Sequence, residues 1–425
     1  MTRPTNSDIG FRAAQLFGDV RLIVLLFISF RVLLMIVYLP LFAQGVERGV
    51  SAGGDFVYYF QLGALSREGL LPFRDWWSEF PPIPSILNVI VFQLFGRDYT
   101  TFSMSFGVLM LGFDVGNLLM MRRIGARLYG AGTGLALMWI YALLLAPAVL
   151  IWWNFEAMVA FFLLWSLAAF IDKRDVRSAL VAVIGALIKF TPALILGAVW
   201  RFRRPMAAGR YSAILSAGFG VVYAFLLLQN SAMTLPSLTA QFNKASYQSV
   251  WALIDGNYKT GNFGSPLERL DPQNAMRLEG NPAVIPGIVR LGGALAIGLF
   301  IFVTARRRDE RGMLYFVALT LLIFFLQAQG WSPQWVAQII PLLLLAFPTR
   351  DGILAVVLLS ISVFVEYPFL FLRTGDSGGE ITGNLVMPFV VLILARTALL
   401  LGFCAALYRG LRQEDLTPRA DETLP

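Results

Sequence analysis

The segment GGDFVYYFQLGALSREGLLPFRDWWSEFPPIPSIL, residues 53–87, follows the first long apolar run of the chain and differs from it sharply. It combines acidic residues such as Asp55 and Glu79 with a group of aromatic residues and a Pro-Pro pair. Because proline restricts the backbone, Pro81 and Pro82 hold the preceding Glu79 in a defined position. So many acids and rings in one short loop next to an apolar run predict the wall of a binding pocket.

The composition is that of a membrane protein. The chain has 425 residues, of which 57% are hydrophobic and 14% charged, and its mean hydropathy is +0.69. A soluble core of this length does not bury so many apolar residues. The net charge is +8, but the basic residues lie in short clusters between apolar runs, where they set topology rather than bind nucleic acid. We therefore predict an all-α polytopic protein whose solvent is the lipid bilayer.

The residue types that are scarce restrict the chemistry. Histidine is absent, and Cys404 is the single cysteine. No intramolecular disulfide and no cysteine-based metal site can form, and the commonest general base is missing. Carboxylates, amides, Arg, Lys and Tyr must therefore do the work, and we predict no cofactor and no bound metal.

About ten apolar runs approach the roughly 20 residues with which a helix crosses a bilayer. They are residues 22–44, 101–121, 131–152, 155–171, 211–229, 285–304, 313–329, 335–347, 353–372 and 385–408. With both termini in the cytoplasm, ten crossings place the clusters MRRIGAR, RFRRPMAAGR and ARRRDER together on the cytoplasmic side, as the positive-inside rule requires. The N-terminal stretch lacks the pattern of a cleaved signal peptide, so the first helix is predicted to remain as an anchor.

Two apolar segments do not fit as simple spans. Residues 83–95 are predicted to form a helix lying on the outer surface. Residues 178–200 have basic clusters at both ends and are interrupted by Pro192, which predicts a re-entrant hairpin, with two very short crossings as the alternative. This topology leaves outer loops at about 46–100 and 230–284. Residues 1–412 then form one membrane domain, and residues 413–425 a disordered cytoplasmic tail.

Several residues of the first loop are candidates for the site. Asp55 follows two glycines and suits a general base that a ligand can approach, or equally a helix N-cap. Tyr58 and Tyr59 suit stacking on a sugar or an interfacial aromatic belt. Arg74 and Asp75 add charge to the same loop, either at the site or as a surface ion pair.

The motif GGDFVYYFQLGALSREGLLPFRDWWSEFPPI resembles the first extracytoplasmic loop of the GT-C superfamily of membrane glycosyltransferases. It is most similar to glycosyltransferase family 87, the polyprenol-phosphate-mannose-dependent mannosyltransferases. Shorter similarities to the family occur in NFEAMVAFFLLW with Asn154 and Glu156, in LIKFTPALIL with Lys189, and in SPQWVAQIIPLLLL with Gln334. The chain departs from the pattern at three positions where the family usually has tyrosine: Phe73, Phe80 and Trp335.

The resemblance implies inverting transfer of mannose from a polyprenyl phosphate to a lipid-linked or glycan acceptor outside the cytoplasm, with Asp55 as the base. Arabinofuranose and glucose remain as alternative sugars. A phosphate leaving group needs positive charge but no metal. The cations in or beside the second outer loop are Lys244, Lys259, Arg269 and Arg290. Lys189 is a further candidate because it lies in an apolar segment, where its alternative role is snorkelling or pairing with Glu156.

A transporter or flippase of a lipid-linked sugar is the competing class of function. Such proteins also have many spans and intramembrane charges, but they commonly contain repeats with broken helices at matching positions. Here the break at Pro192 has no counterpart in the second half of the chain. The acidic outer loop also has no role in transport, so the sequence favours a transferase.

Overall fold

The computed structural model describes residues 15–43, 55–144, 146, 154–261, 263–370, 374 and 379–413. The N-terminal residues 1–14, part of the first predicted outer loop at 46–54, and the tail predicted to be disordered at 414–425 lie outside these ranges.

The described chain is almost entirely helical, which confirms the all-α class. In chain order the helices are α1 Val20–Ala43, α2 Asp55–Ala64, α3 Pro82–Phe95, α4 Tyr99–Tyr129, α5 Ala131–Leu143, α6 Glu156–Ile171, α7 Asp175–Ile188, α8 Ile195–Phe202, α9 Pro205–Thr234, α10 Pro236–Asn243, α11 Val250–Asp255, α12 Gly287–Thr304, α13 Glu310–Gln327, α14 Val336–Ala346, α15 Arg350–Phe364 and α16 Val386–Arg412. Extended pairing within the described ranges is limited to isolated bridges.

Five helices of the described ranges are long and apolar enough to cross a membrane. They are α4, α9, α12, α13 and the segment Gly383–Arg412 that contains α16. Large apolar side chains on these helices face outward, as shown by Leu228 with 88% of its surface exposed. Such exposure is unfavourable in water but suits contact with lipid tails. The protein is therefore a membrane protein, as its composition predicted.

The basic clusters meet at one end of the helical bundle, which we call the basic end. Arg123 pairs with Asp172, and Arg127 lies 2.6 Å from Glu310, so the end of α4 is joined both to the α6–α7 turn and to the start of α13. These clusters are far apart in the sequence but are neighbours in space. Their common location agrees with the single side that the positive-inside rule predicted.

The segment predicted as a re-entrant hairpin returns to the side from which it starts. It consists of α7, a turn at residues 189–194 and α8. Arg203, directly after α8, donates a 2.8 Å hydrogen bond to Asp175 at the start of α7. The hairpin therefore starts and finishes at the basic end. The turn containing Lys189 lies at the opposite end of its two helices, which we call the site end.

Helices α2 and α3 pack closely and support the site end. A Cβ on Gly63 would lie 2.7 Å from Cβ of Phe92, so the close approach of these helices requires glycine at this position. The rings of Phe60 and Phe92 lie 5.3 Å apart, and Phe56 lies 4.9 Å from Phe106 of α4. Aromatic packing of this kind stabilises the start of α2, where Asp55 is located.

The two predicted outer loops pack against each other. The guanidinium of Arg269 lies 4.0 Å from the ring centre of Trp77, and the Trp77 indole donates to the carbonyl of Asp271 at 2.9 Å. The second loop is not irregular throughout, since it contains α10, α11 and the 3-10 turns Pro266–Leu270 and Pro272–Met276. This contact joins the first-loop motif to the segment that carries most of the predicted cations.

Candidate active site

A cavity of about 440 Å³ lies at the site end between the two outer loops, the hairpin turn and the segment before α14. Nine of the residues predicted for the site line it: Asp55, Tyr59, Glu79, Asn154, Glu156, Lys189, Lys244, Arg290 and Gln334. They come from segments that are hundreds of residues apart in the chain. Its volume falls in the range of cavities that bind small molecules.

The carboxylate of Asp55 is held by the side chains of two other described residues. Its Oδ2 accepts hydrogen bonds of 3.3 Å from the Tyr59 hydroxyl and from the Gln334 amide. Asp55 lines the cavity and is half-buried. Burial raises the pKa of Asp55 to about 8, and the nearby Glu156 and Glu79 add to this rise against the opposing effects of Tyr59 and Lys189. A carboxylate with a raised pKa is a stronger base for proton removal than one with the usual pKa.

Glu79 is a second carboxylate of the cavity, and its surroundings keep it ionised. It pairs with Lys244, accepts a 3.3 Å hydrogen bond from Gln241, and lies 3.8 Å from Arg269. Burial acts to raise the pKa of Glu79, but the positive charges of Lys244 and Arg269 outweigh it, so the pKa is lowered. Because α3 begins directly after Pro81, the chain direction at Glu79 is defined, as the sequence predicted.

Glu156 lies at the start of α6 and joins the hairpin turn to α14. Its carboxylate pairs with Lys189 and accepts a hydrogen bond from the amide of Gln338. Gln338 in turn accepts a 2.7 Å hydrogen bond from Thr191. The Oδ1 of Asn154 accepts from the backbone N–H of Glu156 at 2.8 Å. Pairing of Lys189 with Glu156, predicted as one alternative, is therefore present, and both residues also line the cavity.

Arg290 is a cation of the cavity wall that has buried nitrogens without a hydrogen-bond partner among the described residues. Only 7% of its surface is exposed, and its Nε and Nη1 have no hydrogen-bond partner. Its Nη2 donates to Gln329 at 3.4 Å, and its guanidinium lies 5.3 Å from the ring centre of Trp251. Among the described residues it forms no ion pair. A buried guanidinium in this state is ready to bind an anionic group.

The remaining predicted residues do not line the cavity. Tyr58 stacks on Phe263 at 4.6 Å and lies under Arg269, so both are behind the wall. Arg74 and Asp75 form a partly exposed ion pair at 2.7 Å, which corresponds to the surface alternative. Lys259 donates to the carbonyl of Glu279 in the second loop.

Sequence reasoning missed several residues of the cavity wall. Gln241, Tyr247, Gln248 and Phe263 come from the second outer loop, whose polar and aromatic composition indicated a binding surface without singling them out. Gln338, which holds Glu156 without itself lining the cavity, carries a stronger signal, since it is a polar residue within the apolar run WVAQIIPLLLL. A buried amide in such a run needs partners, and here they are Glu156 and Thr191.

Phe80 and Trp335, two positions where the similar motifs have tyrosine, pack against other aromatic rings. Phe80 contacts Phe155 edge to face at 5.0 Å, and Trp335 stacks on Phe325 at 4.6 Å. Trp335 also lies 5.1 Å from the ammonium of Lys189. These positions therefore shape the cavity wall through aromatic and cation–π contacts.

Comparison with known proteins gives structural matches only. No protein-family model matches the chain. No curated protein sequence matches it either. The crystal structure of the Archaeoglobus fulgidus oligosaccharyltransferase in the apo form is similar with a TM-score of 0.39 and 11% identity, over 93% of this chain and 57% of that one. The same enzyme tethered to an acceptor peptide containing the NVT sequon gives a TM-score of 0.33 and 10% identity, over 92% and 56%.

The chain thus spans about 57% of the length of the structure it matches. Similarity at this level assigns no activity to the chain.

Proposed function

We propose that this protein transfers a sugar from a polyprenyl-phosphate donor to an acceptor hydroxyl on the non-cytoplasmic face of the cell membrane. The observation that carries the proposal is the Asp55 carboxyl group in the wall of a cavity that also contains Arg290, two of whose nitrogens have no hydrogen-bond partner within the described part of the chain. Asp55 stands where the first-loop motif resembles that of the GT-C superfamily and of glycosyltransferase family 87. Mannose is the sugar that this resemblance favours.

In the proposed step Asp55 removes the proton of the acceptor hydroxyl. The acceptor oxygen attacks the anomeric carbon as the bond from that carbon to the phosphate oxygen breaks, and the departing polyprenyl phosphate takes the bonding electrons. The configuration at the anomeric carbon inverts. Phosphate is a good leaving group, so one carboxylate is sufficient and neither a general acid nor a metal is needed in this scheme.

The cations of the cavity would stabilise the charge that develops on the phosphate. Lys189 and Lys244 are already paired with Glu156 and Glu79. Arg290 has two buried nitrogens without a hydrogen-bond partner among the described residues, so it gains the most from binding an anion. We propose Arg290 as the principal phosphate ligand, with the two lysines completing a positive surface.

An activity assay tests the proposal directly. Membranes containing the protein are incubated with polyprenyl-phosphate-mannose and a lipid-linked or glycan acceptor, and the products are separated by thin-layer chromatography. Asp55→Asn is expected to reduce transfer by at least about a hundredfold, because it removes the base. Asp75→Asn is the matched control, since that carboxylate lies outside the cavity and should leave transfer nearly unchanged.

The same assay separates the transferase from a transporter. A transferase releases free polyprenyl phosphate in proportion to the mannosylated product, whereas a flippase moves the intact donor across the membrane. Intact donor with full transport activity would refute the proposal. Full transfer by Asp55→Asn would remove Asp55 from the mechanism. Donors carrying arabinofuranose or glucose then test the identity of the sugar.

A further inference from the structure

A buried ion pair joins α16 to the π-helical turn Val365–Leu370 that follows α15. The Nη1 of Arg396 lies 2.6 Å from each carboxylate oxygen of Glu366. The two residues are only 2% and 1% exposed, and neither of them lines the cavity. π-Helical turns are rare and occur frequently at functional sites, so the role of this one requires an explanation.

The ion pair holds Gln248 through both its backbone and its side chain. Nη2 of Arg396 donates to the carbonyl oxygen of Gln248, and Nε2 of Gln248 donates to Glu366 at 2.8 Å. The side-chain oxygen of Gln248 accepts from the N–H of Gly261 at 2.9 Å. Gln248 has a φ of +48°, which is unfavourable for a residue with a Cβ. Its conformation therefore depends on these contacts.

Gln248 lies within residues 244–261, which we call the roof segment because four of its residues contribute to the cavity wall. Lys244, Tyr247, Gln248 and Gly261 all line the cavity. The ring of Tyr247 packs against Gly261 and Gly330, where an added Cβ would collide with it. A shift of Gln248 would therefore displace neighbouring side chains that face the site.

The two neighbours of Gln248, Tyr247 and Ser249, attach the roof segment to residues 329–331. The backbone N–H of Trp331 donates to the carbonyl of Tyr247 at 3.1 Å, and the hydroxyl of Ser249 donates to the carbonyl of Gln329 at 2.6 Å. The guanidinium of Arg396 lies 4.4 Å from the ring centre of Trp331. Arg396 thus contacts both the roof segment, at Gln248, and residues 329–331, at Trp331.

A buried ion pair contributes little net free energy to the packing of two helices. Removing both charges from water often costs more than their attraction returns, and an apolar pair of similar volume packs helices as well or better. An apolar pair could not hold the carbonyl and the amide of Gln248. We infer that Arg396 and Glu366 are positioning residues for sugar transfer, which hold the roof segment in its place over the cavity. The inference rests on the proposed function.

A pair of double variants tests this role in the full-length protein reconstituted in lipid nanodiscs. Arg396→Gln with Glu366→Gln removes both charges together, so no unpaired charge stays buried. Arg31→Gln with Asp114→Asn is the matched control. The two side chains of that ion pair lie 2.7 Å apart and are equally buried, but neither residue lines the cavity. Steady-state transfer and hydrogen–deuterium exchange of residues 244–261 are measured for each.

The variant of the 366–396 pair is expected to lower kcat at least about tenfold while the donor KM changes less than about threefold. Its roof segment should exchange at least about tenfold faster than in the wild type, and the control should change neither value. Equal effects of the two double variants, or unchanged exchange of the roof segment, would overturn the inference. A wild type that transfers no sugar overturns the proposed function instead, and with it the catalytic part of this role.

Discussion

The amide of Gln334 donates a 3.3 Å hydrogen bond to Oδ2 of Asp55, a residue 279 positions earlier in the chain. The Tyr59 hydroxyl donates to the same oxygen. Oδ1 of Asp55 has no hydrogen-bond donor among the described residues, which leaves it for an acceptor hydroxyl. The contact connects the first outer loop to the turn before α14, and it orients the one carboxylate on which the proposed chemistry depends.

The rate of transfer should rise with pH and level off above about pH 8. Burial is the main cause that raises the pKa of Asp55 to about 8. The carboxyl group is therefore largely protonated, and inactive as a base, below that pH. Initial rates at saturating donor across this range provide the measurement. A rate that stays constant down to about pH 5 would show that a base with an ordinary carboxyl pKa operates instead.

Tyr59→Phe should move that pH profile to higher pH. The hydrogen bond from Tyr59 lowers the pKa of Asp55, so its loss raises the apparent pKa of the rate by about 0.5 to 1, which corresponds to a hydrogen bond of about 1 kcal/mol. Tyr258→Phe is the control, because Tyr258 lies outside the cavity wall. An identical profile for the two variants would contradict a role for the Tyr59 hydroxyl.

Arg290→Gln should weaken binding of the donor. Loss of charge-assisted hydrogen bonds to phosphate is expected to raise the donor KM about 10- to 100-fold, and Arg290→Lys should recover only part of this because ammonium lacks the planar fork of guanidinium. Arg74→Gln serves as the control, since Arg74 is partly exposed and pairs with Asp75. Donor titrations at fixed acceptor measure the effect, and an unchanged KM would exclude Arg290 as a phosphate ligand.

Lys189→Met should destabilise the fold because it leaves the buried carboxylate of Glu156 without its counter-charge. The expected cost is about 3 to 5 kcal/mol in the free energy of unfolding. Arg123→Met breaks a partly exposed ion pair with Asp172 and should cost less than about 1 kcal/mol. Thermal unfolding in detergent compares the two.

Adding Glu156→Gln to Lys189→Met is expected to restore most of the lost stability, since no uncompensated charge then remains. If the double variant is as unstable as Lys189→Met alone, the loss comes from packing of the lysine stem and not from the ion pair.

Gly330→Ala should impair transfer by displacing Tyr247. An added Cβ at position 330 collides with the ring of Tyr247, so the roof segment must shift. The expected loss of kcat is at least about tenfold. Gly298→Ala is a suitable control because nothing lies within 4 Å of a Cβ there, and alanine favours the helix. Similar activity of both variants would show that the site tolerates movement of Tyr247.

Much of the architecture follows from patterns that are local in the sequence. Apolar runs predicted the helices, and Pro192 predicted the break between α7 and α8. The helix at 83–95 is present as α3. Helix α4 extends beyond its predicted run of 101–121 at both ends, and α9 begins before its predicted run of 211–229, since a helix continues through polar residues at its ends. Non-helical backbone at Asn230 interrupts α9 where that run was predicted to end. Residue hydropathy therefore identified the elements but not their bounds.

The site was predicted only in part, because a local sequence pattern shows residue types but not which side chains meet in space. Asp55, Glu79 and Glu156 belong to short motifs, and each of them lines the cavity. Arg74 and Lys259 were equally plausible from the sequence, because any cation in an outer loop can serve as a phosphate ligand. Whether a side chain faces the cavity or the solvent depends on long-range packing, to which a local pattern is insensitive.

The sequence by itself determined that this is an all-α membrane protein with an acidic and aromatic first loop, since hydropathy and residue type are properties of single segments. Only the tertiary structure decided which charges meet. It paired Lys189 with Glu156 and Lys244 with Glu79, whereas two nitrogens of Arg290 have no hydrogen-bond partner among the residues that the structure describes. The physical reason is that electrostatic interactions depend on distance and burial in space, and these arise only when segments far apart in the chain pack together.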